Sequence, residues 1–242
     1  MSSTLTSPAS APPRPRATAC SELAGLLALG ALLIWLPMTA AVGGGLLERL
    51  ITPGRILALC LIASYLLYRR GENWRSLGLS PPTSWLRTAG LVVGGYLAVG
   101  LLATVLIGLV FPRLGLRADA AASFGALRGD PWEYAYWIAI AWTSAAIGEE
   151  LLFRGFVQSR LQRIVGHGRL ATGVAVIGQA ALFGLGHAYQ GLGGVLLTGV
   201  TGLVLGIVYV AGRRNLAPCI LLHGLIDTVS LTALFLGVAP GA

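Results

Sequence analysis

Six ionisable residues in the second half of this chain stand within or beside apolar stretches: Glu149, Glu150, Arg154, His187, His223 and Asp227. Ionisable groups at membrane depth are costly and usually face a polar interior, which makes them functional candidates by default. Hydrolysis of an amide needs an activated water, a proton donor for the leaving amine and stabilisation of the oxyanion. Carboxylates and imidazoles supply the first two, and a hydrogen-bond donor aimed at the carbonyl supplies the third. Glu150 and Arg154, Phe183 and His187, and His223 and Asp227 are each spaced i,i+4, so the members of a pair share a helix face. Glu149 is rotated by about 100° from Glu150, so one carboxylate can face the reaction while the other pairs with Arg154. Zinc or another divalent metal is also within the reach of these residue types, with Glu149, His187, His223 and Asp227 as candidate ligands. The spacing leaves metal-free and metal-assisted chemistry both open. An ion-paired network that only ties helices together is the competing reading. Two carboxylates, two imidazoles and an Asp over three helices favour a reactive site.

These residues need elements to hold them, and the composition says what kind. Of 242 residues, 55% are hydrophobic and only 11% charged, and mean hydropathy is +0.78. A soluble domain carries about 25% charged residues, so a soluble enzyme is excluded and an all-α, polytopic transmembrane bundle is expected. The 34 glycines suit helices packed closely in a bilayer. The formal net charge is +8, and every basic residue is Arg, scattered between apolar blocks. That pattern suits loops beside anionic lipid, not a nucleic-acid face. Three cysteines, Cys20, Cys60 and Cys219, lack the number and spacing of a disulfide framework or zinc knuckle. The chain has no His-Glu-x-x-His, Gly-x-Ser-x-Gly or phosphate loop.

Residues 1–21, rich in Ser, Ala, Pro and Thr, read as a disordered cytoplasmic tail. Three spans follow in residues 22–131: Leu23–Gly45, a second ending at Tyr68, and Thr88–Pro112. The catalytic core occupies residues 132–238, with a fourth span from Trp132 past Phe156. Leu170–Ala188, Gly191–Ala211 and Leu216–Val238 are the fifth to seventh. An eighth piece near residues 114–130 would change the side on which the chain ends. With seven spans and a cytoplasmic N-terminus, twelve Arg face inside and five outside, so the positive-inside rule orients the chain N-in. Gly194, Thr198, Gly202 and Gly206 form a small-residue face for tight packing. His167, in an Arg-rich loop, reads as ordinary surface.

Glu149-Glu150-Leu151-Leu152-Phe153-Arg154-Gly155, then Phe183-x-x-x-His187, then His223-x-x-x-Asp227 resemble the motifs of the CPBP family. These are the intramembrane CAAX prenyl protease and bacteriocin-processing proteins, also called the Abi family. The resemblance covers roughly residues 132–235. It implies an all-helical intramembrane endopeptidase, acting on a peptide or protein substrate at the lipid bilayer. Carried over, Glu149 would be the general base and His187 its partner in activating water. Glu150 would support the site and position Arg154, while His223 and Asp227 would line an oxyanion site. The prenyl protease branch typically has Asn at the last position. An ionised Asp227 would repel an oxyanion, so it must hold a proton, orient His223 or bind a metal.

One conflict follows from helix rise. Glu149 and His223 fall toward the cytoplasmic half or middle of their spans, whereas His187 lies about 25 Å along a helix from Leu170, on the far side. A catalytically idle membrane scaffold or bacteriocin-immunity protein, regulating a partner, is the rival from another class.

Overall fold

The computed structural model describes residues 16–35, 46–116 and 127–238, whose regular elements are all helices, with no strand among the described residues. Seven rods result. Helix α1 is Arg16–Trp35 and α2 is Leu46–Tyr68. Helix α3 runs from Trp85 through a short π-wound stretch to Leu114. Helix α4 begins as Pro131–Ile140, passes through π-wound Ala141–Glu149 and Leu151–Val157, and ends as Gln158–Val165. Helices α5, α6 and α7 are Arg169–Gly186, Gly191–Ala211 and Ala217–Phe235. Six stretches, all but the one in α4, are long and apolar enough to cross a membrane as single windows. The protein is a multi-pass membrane bundle.

One expected boundary shifts. The first span was placed at Leu23–Gly45, but α1 starts at Arg16, so residues 16–21 are helix and not tail. The last proline of the leading segment is Pro15, and nothing beyond it breaks a helix. Glu22 then anchors the first turns by pairing with Arg70 and Arg160. Residues 1–15, the segment 36–45 and most of the proposed eighth piece lie outside the described residues.

The fourth span, expected to run from Trp132 past Phe156, is longer than one crossing: α4 extends to Val165. Asp130 starts it: its Oδ1 accepts from the backbone N–H groups of Trp132 at 2.8 Å and Glu133 at 3.1 Å, with Pro131 in the first turn. Its other end projects past the site, so α4 and α5 run antiparallel from a turn at residues 166–168. Counted from that turn, Glu150 and Phe183 lie at equal depth, about 22 Å along their helices. The conflict over His187 disappears with the longer helix.

The core lies in three apolar clusters. One joins α1, α2 and α4 through Leu23, Ala63, Leu67, Leu152 and Phe156. Another joins α3, α6 and α7 through Val99, Leu205, Val208, Leu216 and Leu222. A smaller third cluster joins Leu127, Ala141 and Leu231. The turn between α6 and α7 is held from outside by residues 77–78. There Tyr209 donates its hydroxyl to the Leu77 carbonyl at 2.8 Å, and Leu216 N–H donates to Gly78 O at 2.9 Å. Gly78 has φ +96°, and a Cβ there would lie 1.8 Å from the Arg214 carbonyl oxygen, so only glycine fits.

Candidate active site

The centre of the site is one fully buried carboxylate oxygen. Glu150 Oε1 accepts from Arg154 Nη1 at 2.7 Å and from His223 Nδ1 at 2.8 Å. Arg154, also fully buried, donates from Nη2 to the carbonyl oxygen of Gly202 at 3.3 Å, and its guanidinium lies 4.4 Å from the centroid of the Phe183 ring. Phe183 packs edge-on against Phe153 and His223, with ring centroids 5.0 and 5.9 Å apart. Three helices, α4, α5 and α7, are thus brought to one point, with α6 contributing a backbone carbonyl.

The local windings explain this convergence. Through the motif, α4 is π-wound; Gln158 N–H reaches back to Phe153 O, an i+5 bond. Such segments are rare and concentrate at functional sites. A wider winding turns the chain less per residue, so Glu149 and Glu150 diverge less than in an α-helix. Glu149 is half-buried and its Oε2 is buried with no hydrogen-bond partner among the described residues. Its carboxylate acts electrostatically on His223, Asp227 and Tyr189. The two glutamates therefore differ in kind: one is committed to two cations or donors, the other is free.

His187 sits at the end of α5, its N–H donating to Gly184 O at 2.9 Å. Its ring Nδ1 lies 2.9 Å from the Phe183 carbonyl oxygen. A carbonyl only accepts, so Nδ1 carries the proton and Nε2 is left for other work. Gly184 allows α6 in close: a Cβ there would stand 2.6 Å from Val195 O and 3.0 Å from Gly199 Cα. His223 is set by its neighbour Gly224, against which the Trp142 ring packs so tightly that a Cβ would fall 2.6 Å away. Trp142 Nε1 also donates to Thr228 Oγ1 at 3.1 Å, fixing α7 on α4. On the next turn Asp227 Oδ2 stands 3.6 Å from His223 Nε2.

One participant, Gln179, was not singled out in the sequence, and another, Gly202, was read there only as a packing residue. Gln179, fully buried in α5, donates from Nε2 to the Gly202 carbonyl at 2.8 Å and to the Val176 carbonyl at 3.1 Å. Gly202 itself presents that carbonyl to both Gln179 and Arg154. The small-residue face of α6 thus does more than pack. With no side chains at Gly202 and Gly206, polar groups of α4 and α5 reach the α6 backbone; a Cβ on Gly206 would meet Gln179 Nε2 at 2.4 Å. A lone amide side chain in an apolar span demands a partner, and that signal would have pointed to Gln179.

The metal alternative does not fit this arrangement. Among the described residues, no three of His, Cys, Asp and Glu gather as ligands for an ion. Glu150 Oε1 is taken up by Arg154 and His223, and His223 Nδ1 is taken up by Glu150.

Residues 131–229 match the family model described as type II CAAX prenyl endopeptidase Rce1-like. No curated protein matches, and no solved structure does.

Proposed function

We propose, for a chain that belongs through residues 131–229 to the type II CAAX prenyl endopeptidase Rce1-like family, that it is an intramembrane endopeptidase in which Glu149 activates water for attack on a peptide bond. The observation that carries this reading is the unequal state of the paired glutamates. Each glutamate keeps a buried Oε2 without a partner among the described residues, but Glu150 is held through Oε1 by Arg154 and His223, whereas the Glu149 carboxylate accepts no hydrogen bond among them.

In this reading Glu149 takes a proton from water, and the hydroxide attacks the scissile carbonyl carbon. His187 Nε2, left free by the Nδ1 bond to Phe183, accepts the second water hydrogen bond and fixes the direction of attack. The carbonyl becomes an oxyanion. The donor to it is the Nε2–H of His223, since Nδ1 is committed to Glu150, and Asp227 stands 3.6 Å from that nitrogen, close enough to favour its proton but not hydrogen-bonded to it. Glu149 then returns its proton to the leaving amine, which breaks the C–N bond. Arg154, Gln179 and Gly202 do not touch the reacting atoms; they hold Glu150 and therefore His223. The substrate is a membrane-associated peptide or protein cut near its end.

The decisive test is Glu149→Gln in the full chain. We expect cleavage of membrane peptides to disappear while insertion and thermal stability stay near wild type, because an amide cannot take the proton. Full turnover by the purified variant would remove Glu149 from the base role.

The orientation rests on the twelve-to-five Arg distribution, which sets the N-terminus and the α6–α7 turn in the cytoplasm. A reporter fused after Arg214 should read as cytoplasmic, and an external signal would reverse the topology.

A further inference from the structure

At the Arg-rich end of the bundle, a cavity of about 390 Å³ opens where α4, α5 and α6 meet. It is lined by His167, Arg169 and Arg214, together with Gln162, Thr172 and Val210, and no acidic side chain contributes to it. The contrast with the neighbouring arginines is sharp. Arg70, Arg160 and Arg163 are paired with Glu22 and Glu72. Among the described residues, neither Arg169 nor Arg214 forms an ion pair. Arg214 is nevertheless held firmly in place. It and Arg213 both adopt the left-handed backbone conformation, φ 60° and 59°, which L-residues rarely do. Arg214 N–H donates to Tyr209 O at 2.8 Å, and its own carbonyl lies against Gly78.

The surroundings are equally informative. Next to the cavity the helices turn apolar side chains outward: Leu170, Val174 and Ile177 on α5, and Ile207 and Val210 on α6, are 37–82% exposed. A cationic cup therefore sits directly at the edge of a lipid-facing apolar wall. A ligand that satisfies both halves has an anionic head and hydrocarbon tails. We propose that this cavity binds the phosphate headgroup of an anionic glycerophospholipid, with its acyl chains along the α5–α6 wall. Phosphate accepts hydrogen bonds from both guanidinium groups, with His167, Gln162 and Thr172 available to the remaining oxygens. The shared chemistry with free phosphate is the headgroup alone; the apolar wall selects the lipid.

The inference does not depend on the proteolytic reading, and its test needs no substrate. The full chain would be extracted from, and reconstituted into, nanodiscs of phosphatidylcholine with or without phosphatidylglycerol. Retained lipid is then read by native mass spectrometry and thermal stability by a melting scan. We expect wild type to retain phosphatidylglycerol and to melt higher with it, and inorganic phosphate to give no such rise. Arg169→Gln combined with Arg214→Gln should weaken retention about 30-fold, with melting in phosphatidylcholine alone unchanged. Arg169→Lys combined with Arg214→Lys keeps both charges and should keep most of the binding. Equal retention by the Gln pair would overturn the site. An equal rise with inorganic phosphate alone would overturn the lipid assignment.

Discussion

Helix α4 carries two buried ionic clusters about two turns apart, and they are built to opposite rules. At its Arg-rich end, Glu22 pairs with Arg70 and Arg160, and Glu72 pairs with Arg160 and Arg163. Each carboxylate there has two guanidinium partners, and the cluster ties α1, the loop after α2 and α4 together. At the motif, a single guanidinium, Arg154, faces Glu150, while Glu149, Asp227 and two imidazoles share the surrounding space. The first cluster is saturated with cations and is structural. The second holds more acids and bases than are paired among the described residues, and it is this surplus that the proposed mechanism uses to move protons. Burial alone does not distinguish them, since Arg154 and Arg160 are both fully buried.

The largest effect expected from breaking this contrast comes at Glu150. Glu150→Gln leaves the buried Arg154 guanidinium without its carboxylate and leaves His223 only an uncharged acceptor. Removing one partner of a buried pair costs about 3–5 kcal/mol, so we expect a marked loss of folded protein and of activity together. Thermal melting in neutral detergent, compared with Glu149→Gln, measures the difference. A Glu150→Gln protein as stable as Glu149→Gln would mean that the two glutamates are not divided between holding and reacting.

Much of the site is legible in the sequence because its pairs are local. Glu150 with Arg154, Phe183 with His187 and His223 with Asp227 each meet within one helix, and i,i+4 spacing is enough to place them on one face. The joining of those faces is not local. It depends on the π-winding of α4, which no residue pattern announced, and on Gly184, Gly202 and Gly224 admitting a neighbouring helix. The end of α4 was not fixed by the sequence for a related reason: Gln158–Val165 is too polar to read as membrane span, so the rod ran past Phe156 without a defined end and the depth of His187 stayed in conflict. The start of α1 was hidden by a tail-like composition whose last helix breaker is Pro15.

A smaller effect should mark the saturated cluster. Burial pushes the Glu72 carboxyl up, but Arg163 and Arg160 outweigh it and hold it below the usual carboxylate range. A lowered folded-state value means that the stabilisation is present above the ordinary carboxyl range. It is lost as pH falls through the lowered value. Wild type should therefore exceed Glu72→Gln in stability at neutral pH by about 1 kcal/mol, because the side chain is 19% exposed and Arg160 keeps Glu22. The difference should vanish in acid. Melting curves of both proteins across the acid limb decide it; a difference that persists in acid would show that the charge of Glu72 is not what stabilises.

The smallest effect is expected where the motif departs from the prenyl protease branch. Asp227 stands on the same face as His223, 3.6 Å from Nε2. If its task is to hold that ring and its proton toward the oxyanion, an amide of the same shape serves nearly as well, because Asn keeps an acceptor and gains a donor. We expect Asp227→Asn to stay within about tenfold of wild-type activity and to match its stability, with no stoichiometric metal in either protein. Activity and metal content must be measured on one purified sample, since a charge-dependent ligand would lose both together. An inactive Asn variant that has also lost a one-to-one metal would make the enzyme a metalloprotease. An inactive variant with unchanged metal content would instead show that the negative charge of Asp227 itself is needed, to sustain the proton on His223 while Glu150 occupies the other side of the ring.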